Sequence, residues 1–247
     1  MRQTSVYILI ICLLWSRKLH AQQHTTANWE HRVHIGYNIG GSTPIPLPSN
    51  IRKIESYSPG FSPSVGYEII RKPNEKWSVG AGLRVEIKGM KIKDSVQYFH
   101  TLISMNDAEF EGDFTGSNET VSKNMYISLP VFLSFNAGSG WHLKGGLYTG
   151  YLLRPYFKGT VSDGYIRKGN SLGEKVEVDR AIFNFDKELN KWDWGVFAGG
   201  EKKIDRYVVA GDLQWGIPSI FPASFRGVNF KMKNVFFTLG VKRQLFK

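Results

Sequence analysis

Every second residue from Trp77 to Ile87 is apolar: Trp77, Val79, Ala81, Leu83, Val85 and Ile87. Between them lie Ser78, Gly80, Gly82, Arg84, Glu86 and Lys88. A period of two puts one set on each face of a β-strand. Seven other segments carry the same alternation: Arg32 to Ile39, Phe61 to Ile70, Asn124 to Phe135, Trp141 to Leu153, Trp192 to Glu201, Tyr207 to Gly216 and Asn234 to Phe246. Their connections alternate in length. "RKPNEK", "NAGSG" and "KKIDR" are short, whereas the stretches after the first strand, from Met90 to Lys123 and from Pro155 to Lys191 are long. "IPSIFPASFRGVNF", before the last strand, is intermediate.

An even strand count with short turns at one end and long loops at the other is the pattern of an all-β, eight-stranded antiparallel up-and-down transmembrane β-barrel. Its long loops are then extracellular and both termini periplasmic, in the outer membrane of a Gram-negative bacterium. The alternative is an exported soluble ligand-binding β-barrel, with the apolar faces turned inward. Two features favour the membrane barrel. Aromatics sit at the ends of the apolar faces: Trp77, Trp141 and Tyr207 open strands, Phe135 and Trp215 close them, and Trp192 and Trp194 begin another. Such girdles mark the two lipid–water interfaces. The polar faces are also rich in glycine, including Gly36, Gly66, Gly80, Gly82, Gly146 and Gly195, as a narrow interior requires. Pro130 falls mid-strand, where a local bulge is expected to absorb the lost hydrogen bond. Arg243 points outward near the periplasmic end, where it can snorkel to head groups.

The first residues read as a secretory signal, residues 1–21: Arg2, the apolar run Val6 to Trp15, and small Ala21 before "QQ". A short segment, 22–30, precedes the barrel domain, 31–247. The single cysteine, Cys12, lies inside the signal and lacks the small preceding residue of a lipoprotein site. The mature chain is therefore free of disulfides and thiolate metal sites. The net charge of +11 falls to +8 without Arg2, Arg17 and Lys18. Outside the cytoplasm such a charge points to anionic lipid head groups or sugars, not nucleic acid.

The remaining chemistry is sparse. His31 and His34 are three apart on a strand and face opposite sides, which does not suit a metal pair, and no cofactor motif occurs. His34 and His142 both point inward, away from the lipid face where an acyl-modifying enzyme would need them. A lipid-modifying barrel enzyme is the runner-up; a non-enzymatic barrel is the leading reading. Inward charges of both signs predict a lumen network of Glu68, Arg84, Glu86, Lys88, Lys144, Asp193, Glu201, Asp212 and Lys242. Buried charges need partners, and eight strands leave no open channel for a porin. The long loops are the expected functional surface, meeting a protein partner in the envelope. The first, with its prolines, is placed over the mouth; "FHTLISM" suggests a lid; the third is expected to extend the fifth and sixth strands as a hairpin. "DSV", Asp94 to Val96, resembles a short O-glycosylation signal.

The order of these elements resembles the PorT-type outer-membrane β-barrel proteins of Bacteroidota. The matching stretches are "HAQ", "VHIGYNIGGS", "GFSPSVGYEI", "WSVGAGLRVEIKG", "YISLPVFLSF" and "FFTLGVKRQLF". The resemblance implies an eight-stranded outer-membrane barrel. It implies little about activity; the family's namesake is linked to protein secretion.

Overall fold

The computed structural model describes residues 28–105 and 108–246. The signal expected over 1–21, and most of the segment expected over 22–30, lie outside the described residues. Eleven strands follow in order: β1 (Asn28–Pro44), β2 (Ile51–Ser58), β3 (Pro63–Lys72), β4 (Trp77–Met105), β5 (Ala108–Gly138), β6 (Trp141–Arg154), β7 (Phe157–Lys168), β8 (Lys175–Asn184), β9 (Trp192–Ile204), β10 (Tyr207–Gly216) and β11 (Met232–Phe246). All belong to one antiparallel sheet. Pairing runs β1–β3–β4–β5–β6–β9–β10–β11 and returns from β11 to β1. Closure leaves the ring without a free edge.

The sheet thus has eleven strands where eight were expected: eight pair around the ring and three lie outside it. The three additions come from segments read as loops. β2 arises in the proline-rich connection and pairs with the far part of β4. Met90 to Lys123 is no loop: β4 and β5 run on through it as a long hairpin, and "FHTLISM" is the end of β4, not a lid. β7 and β8 pair with one another, but the hairpin docks sideways on β5 and touches β4 at Ser104–Ile182. It does not extend the fifth and sixth strands: β7 pairs with β5 between Gly112 and Ser122, beyond the part of β5 that pairs with β6.

Two kinds of interior are stacked along β4 and β5. In the ring, Leu147 is 65% exposed on the outer face, whereas inward Lys242 is fully enclosed. The soluble alternative, with the apolar face inward, does not describe this ring. Above it the chemistry reverses, and on β4 the strand parity holds as far as Val96. Inward positions on β4 pass from Arg84, Glu86 and Lys88 to Met90 and Val96; outward ones pass from Leu83 and Val85 to Lys91. The upper part has a conventional core containing Phe99, Ile103, Phe114, Phe157, Val161, Ile166 and Phe183. We call it the head. The β10–β11 connection feeds this core, with Phe221 stacked on Phe225 at 4.5 Å and edge-on to Phe157 at 5.2 Å.

The apolar outer band is bounded by aromatics. Trp29, Trp77, Phe135, Trp141 and Tyr207 lie at the short-turn end, with Trp77 and Phe135 centred 5.1 Å apart. Tyr151, Trp192, Trp194 and Trp215 lie at the other end, with Tyr151 and Trp192 also 5.1 Å apart. From Trp77 to Ile87 the strand spans ten steps, about 33 Å along its axis, or about 25 Å in height at a typical tilt.

Pro130 does not create the expected bulge. The β4–β5 ladder omits the pairs opposite Leu129 and Pro130, and its register is unchanged on either side. Gly82 stands across the gap, where a Cβ would lie 3.3 Å from the proline ring, so the missing side chain gives the ring its space. Gly80 serves Phe132 similarly: a Cβ there would collide with the phenyl ring. Gly80→Ala is expected to destabilise the ring by about 1–3 kcal/mol. Adding Phe132→Leu should recover part of the loss. Urea unfolding followed by tryptophan fluorescence checks both.

Candidate functional site

Two sites stand out: the charged interior of the ring and a cavity where ring meets head. The nine residues expected to form a charge network are all buried. Their strands aim them at one axis. Glu68 on β3 faces Arg84 on β4 at 2.7 Å and Lys242 on β11 at 2.7 Å. Glu201 on β9 holds Lys242 at 2.7 Å and Lys144 of β6 at 2.9 Å. Asp212 on β10 takes Lys144 at 2.8 Å and Arg84 at 3.5 Å. Nearer the head, Lys88 donates to Asp193 at 2.8 Å and sits 3.9 Å from Glu86. Glu86 also accepts from Ser128 at 2.7 Å.

β1 contributes members not anticipated. Arg32 pairs with Glu30 at 2.6 Å and with Glu201 at 2.7 Å, and Glu30 also holds Lys72 at the rim. The signal for them was parity: outward Val33 and Ile35 turn Arg32 inward, and Glu30 lies two residues back. The structure begins this strand at Asn28, ahead of the expected Arg32, and so brings Glu30 into it. Aromatic faces complete the filling. Lys144 lies 5.4 Å from the Phe132 ring centre and Lys88 4.5 Å from that of Tyr148, distances that suit cation–π attraction. His34 Nε2 lies 3.4 Å from Ser64 Oγ, but both residues are buried and His34 Nδ1 has no partner to orient the ring.

The cavity lies directly above. Its volume is about 230 Å³, bordered by the end of β1, β2, the head portions of β4 and β5, β8 and the β10–β11 connection. Its floor joins the charged interior: Ser42 donates to Asn234 at 2.7 Å, and Asn234 donates to Asp193 at 3.0 Å. Aromatic and aliphatic side chains form most of the wall, and Asp94 is its one carboxylate among the described residues. Asn118 donates to Asp94 at 2.7 Å. Burial pushes the Asp94 carboxyl up to about 6; the Asn118 hydrogen bond opposes this, and the charge of Glu55 adds to it. Asp94 and Val96 are both buried within β4, with Ser95 between them on the outer side, so the folded chain encloses two of the three residues of "DSV".

Residues 20–222 match the family described as "Outer membrane protein beta-barrel domain". No curated protein matches the chain. Among solved structures, Ail of Yersinia pestis in complex with the heparin analogue sucrose octasulfate is similar at 13% identity, covering 88% of this chain and 99% of that one, with a TM-score of 0.39. Ail in a phospholipid bilayer nanodisc gives 13%, 88%, 100% and 0.37 on the same measures. A Rhodopseudomonas blastica porin gives 8%, 89%, 100% and 0.19.

Glu201→Gln removes a charge shared by three cations. It should cost about 3–5 kcal/mol, because the cations stay buried. Lys91→Ala, in the exposed pair with Glu119 at 3.0 Å, should cost less than about 1 kcal/mol. Denaturation midpoints in detergent compare the two. Asp94 has its own signature. Its proton is held more tightly in the folded head than in an unfolded chain, where the carboxyl titrates near 3.8. The head should therefore lose stability as pH rises from about 4 to about 6, by at most about 3 kcal/mol. Amide exchange in β2 and β4, corrected for intrinsic rates, should show this; Asp94→Asn should abolish it.

Proposed function

The chain belongs to the outer membrane protein beta-barrel domain family, and from that membership and the geometry above we propose that the ring spans the outer membrane with the head outside and both termini periplasmic. The observation that carries this reading is the reversal between Lys88 and Met90. Below it apolar side chains face outward over about 25 Å, the height of a lipid-facing band. Above it lysines face outward and the phenylalanines turn in, as water demands. The aromatics at both ends of the band occupy the two interfaces. The interior charges fill the ring, so the protein is a plugged barrel with no solute path.

The protein acts without catalysis, as a structural or partner-binding component of the envelope, and the head is the binding surface. The resemblance to PorT-type barrels supports a place beside a secretion or envelope complex. The enclosed Ser64–His34 pair supports a non-enzymatic role, since a lipid chain outside the ring does not reach it.

Single cysteines give the topology test, because the only native one is Cys12. Lys93→Cys should react with an impermeant maleimide on whole cells. Val85→Cys should resist labelling, and Ser139→Cys should react only after the outer membrane is opened. Labelling of Ser139→Cys on intact cells would reverse the orientation. Copurification from detergent-solubilised membranes should yield a stoichiometric protein partner, and lipid A mass profiles should be unchanged when the gene is deleted.

A further inference from the structure

The buried carboxylates of this protein are Glu30, Glu68, Glu86, Asp94, Asp193, Glu201 and Asp212 among the described residues. Each has a cationic side chain within 4 Å except Asp94. Burying an ionised carboxylate without a counter-charge is costly, and elsewhere the fold avoids that cost without exception. Asp94 is also the one that borders a cavity. Among the described residues, no lysine, arginine or histidine lines that space. Asn118 supplies one hydrogen bond to the carboxylate, which orients it without neutralising it.

The walls narrow the chemistry of what is missing. Phe99, Phe185 and Phe230 line the same cavity as Asp94, and aromatic faces attract a desolvated ammonium. A hard metal ion would require six or more oxygen ligands, for which these walls are too apolar. An anion would meet the carboxylate. The volume of about 230 Å³ exceeds the roughly 150 Å³ that admits a benzene-sized molecule, so a body of about ten heavy atoms fits. The rim is open at Leu47, Ile54 and Tyr57, which border the cavity and are each about half exposed.

We propose that this cavity binds a small organic cation, an ammonium carried on a short aromatic or aliphatic body, with the charge at Asp94 and the body among the phenylalanines. The proposal goes beyond the envelope role above. It holds whichever side of the membrane the head occupies, and a nanodisc exposes both sides, so its failure and a failure of the topology are read separately.

The test uses the full mature chain in phosphatidylglycerol nanodiscs and sodium phosphate, which keeps ammonium head groups and amine buffers out. Phenethylamine, 2-phenylethanol and phenylacetate are titrated by calorimetry. Phenethylamine should saturate at one per chain, 2-phenylethanol should bind at least about tenfold more weakly, and phenylacetate should not bind. Asp94→Asn should weaken phenethylamine by about tenfold to hundredfold, the usual worth of a hydrogen bond to a charged group, to the level of the alcohol. Equal binding of amine and alcohol, binding of phenylacetate, undiminished binding by Asp94→Asn, or no saturable binding of the amine would each overturn the proposal. The three-ligand series on the unaltered chain decides the matter even if Asp94→Asn fails to fold.

Discussion

Charge neutralisation inside a narrow closed ring is the constraint on which this structure rests. Eight strands enclose only enough space for side chains, and the apolar side chains are committed to the outer face. The interior must then be filled by polar groups that satisfy one another. Glu68 and Glu201 do this from opposite sides of Lys242, and Asp212 links Lys144 to Arg84. Each of these three carboxylates serves more than one cation, so the strands that carry them are tied across the ring as well as along their edges. Glycines opposite Phe132 and Pro130 set how closely the walls can approach. A single unmatched charge would be felt by the whole interior, because the charged groups are buried and the ring has no free edge to relieve it.

The head obeys the opposite rule with the same strands. β4 and β5 carry both regimes without a break in the chain, and only the side-chain chemistry changes between Lys88 and Met90. The phenylalanines of β7, β8 and the β10–β11 connection bury themselves against the upper strands. They form a small core that holds the head upright over the mouth. Asp94 lies at the seam between the two regimes. It has the burial of the lower interior and the apolar neighbours of the upper one, which is why its carboxyl is pushed up and why its missing counter-charge is conspicuous.

The ring was legible because its period of two is uninterrupted. Trp77 to Ile87, Trp141 to Leu153 and Tyr207 to Gly216 alternate cleanly, and the charges that fall between their apolar residues are the ones found inside. The head was not legible, because its strands break parity. On β4 the buried set shifts from Asp94 and Val96 to Phe99 and Ile103, with Tyr98 in the left-handed region at φ 52°. On β7 it shifts from Val161 to Ile166, past Asp163 at φ 55°. Each irregularity moves the next residues to the other face, so the alternation dissolves into what reads as loop. Glu30 lies outside the expected strand, Arg32 to Ile39, although Trp29 and Glu30 continue its alternation and β1 begins at Asn28.

By itself, then, the sequence determined which faces are apolar, which residues point into the ring, and where its aromatic boundaries lie. Those properties follow from local alternation and need no knowledge of partners. Only the tertiary structure decided which charges meet, that β7 and β8 dock on β5, and that Asp94 is left beside a cavity without a cation. Pairing across 105 residues, as between Lys88 and Asp193, depends on how the strands close in space. No periodicity along the chain records that closure.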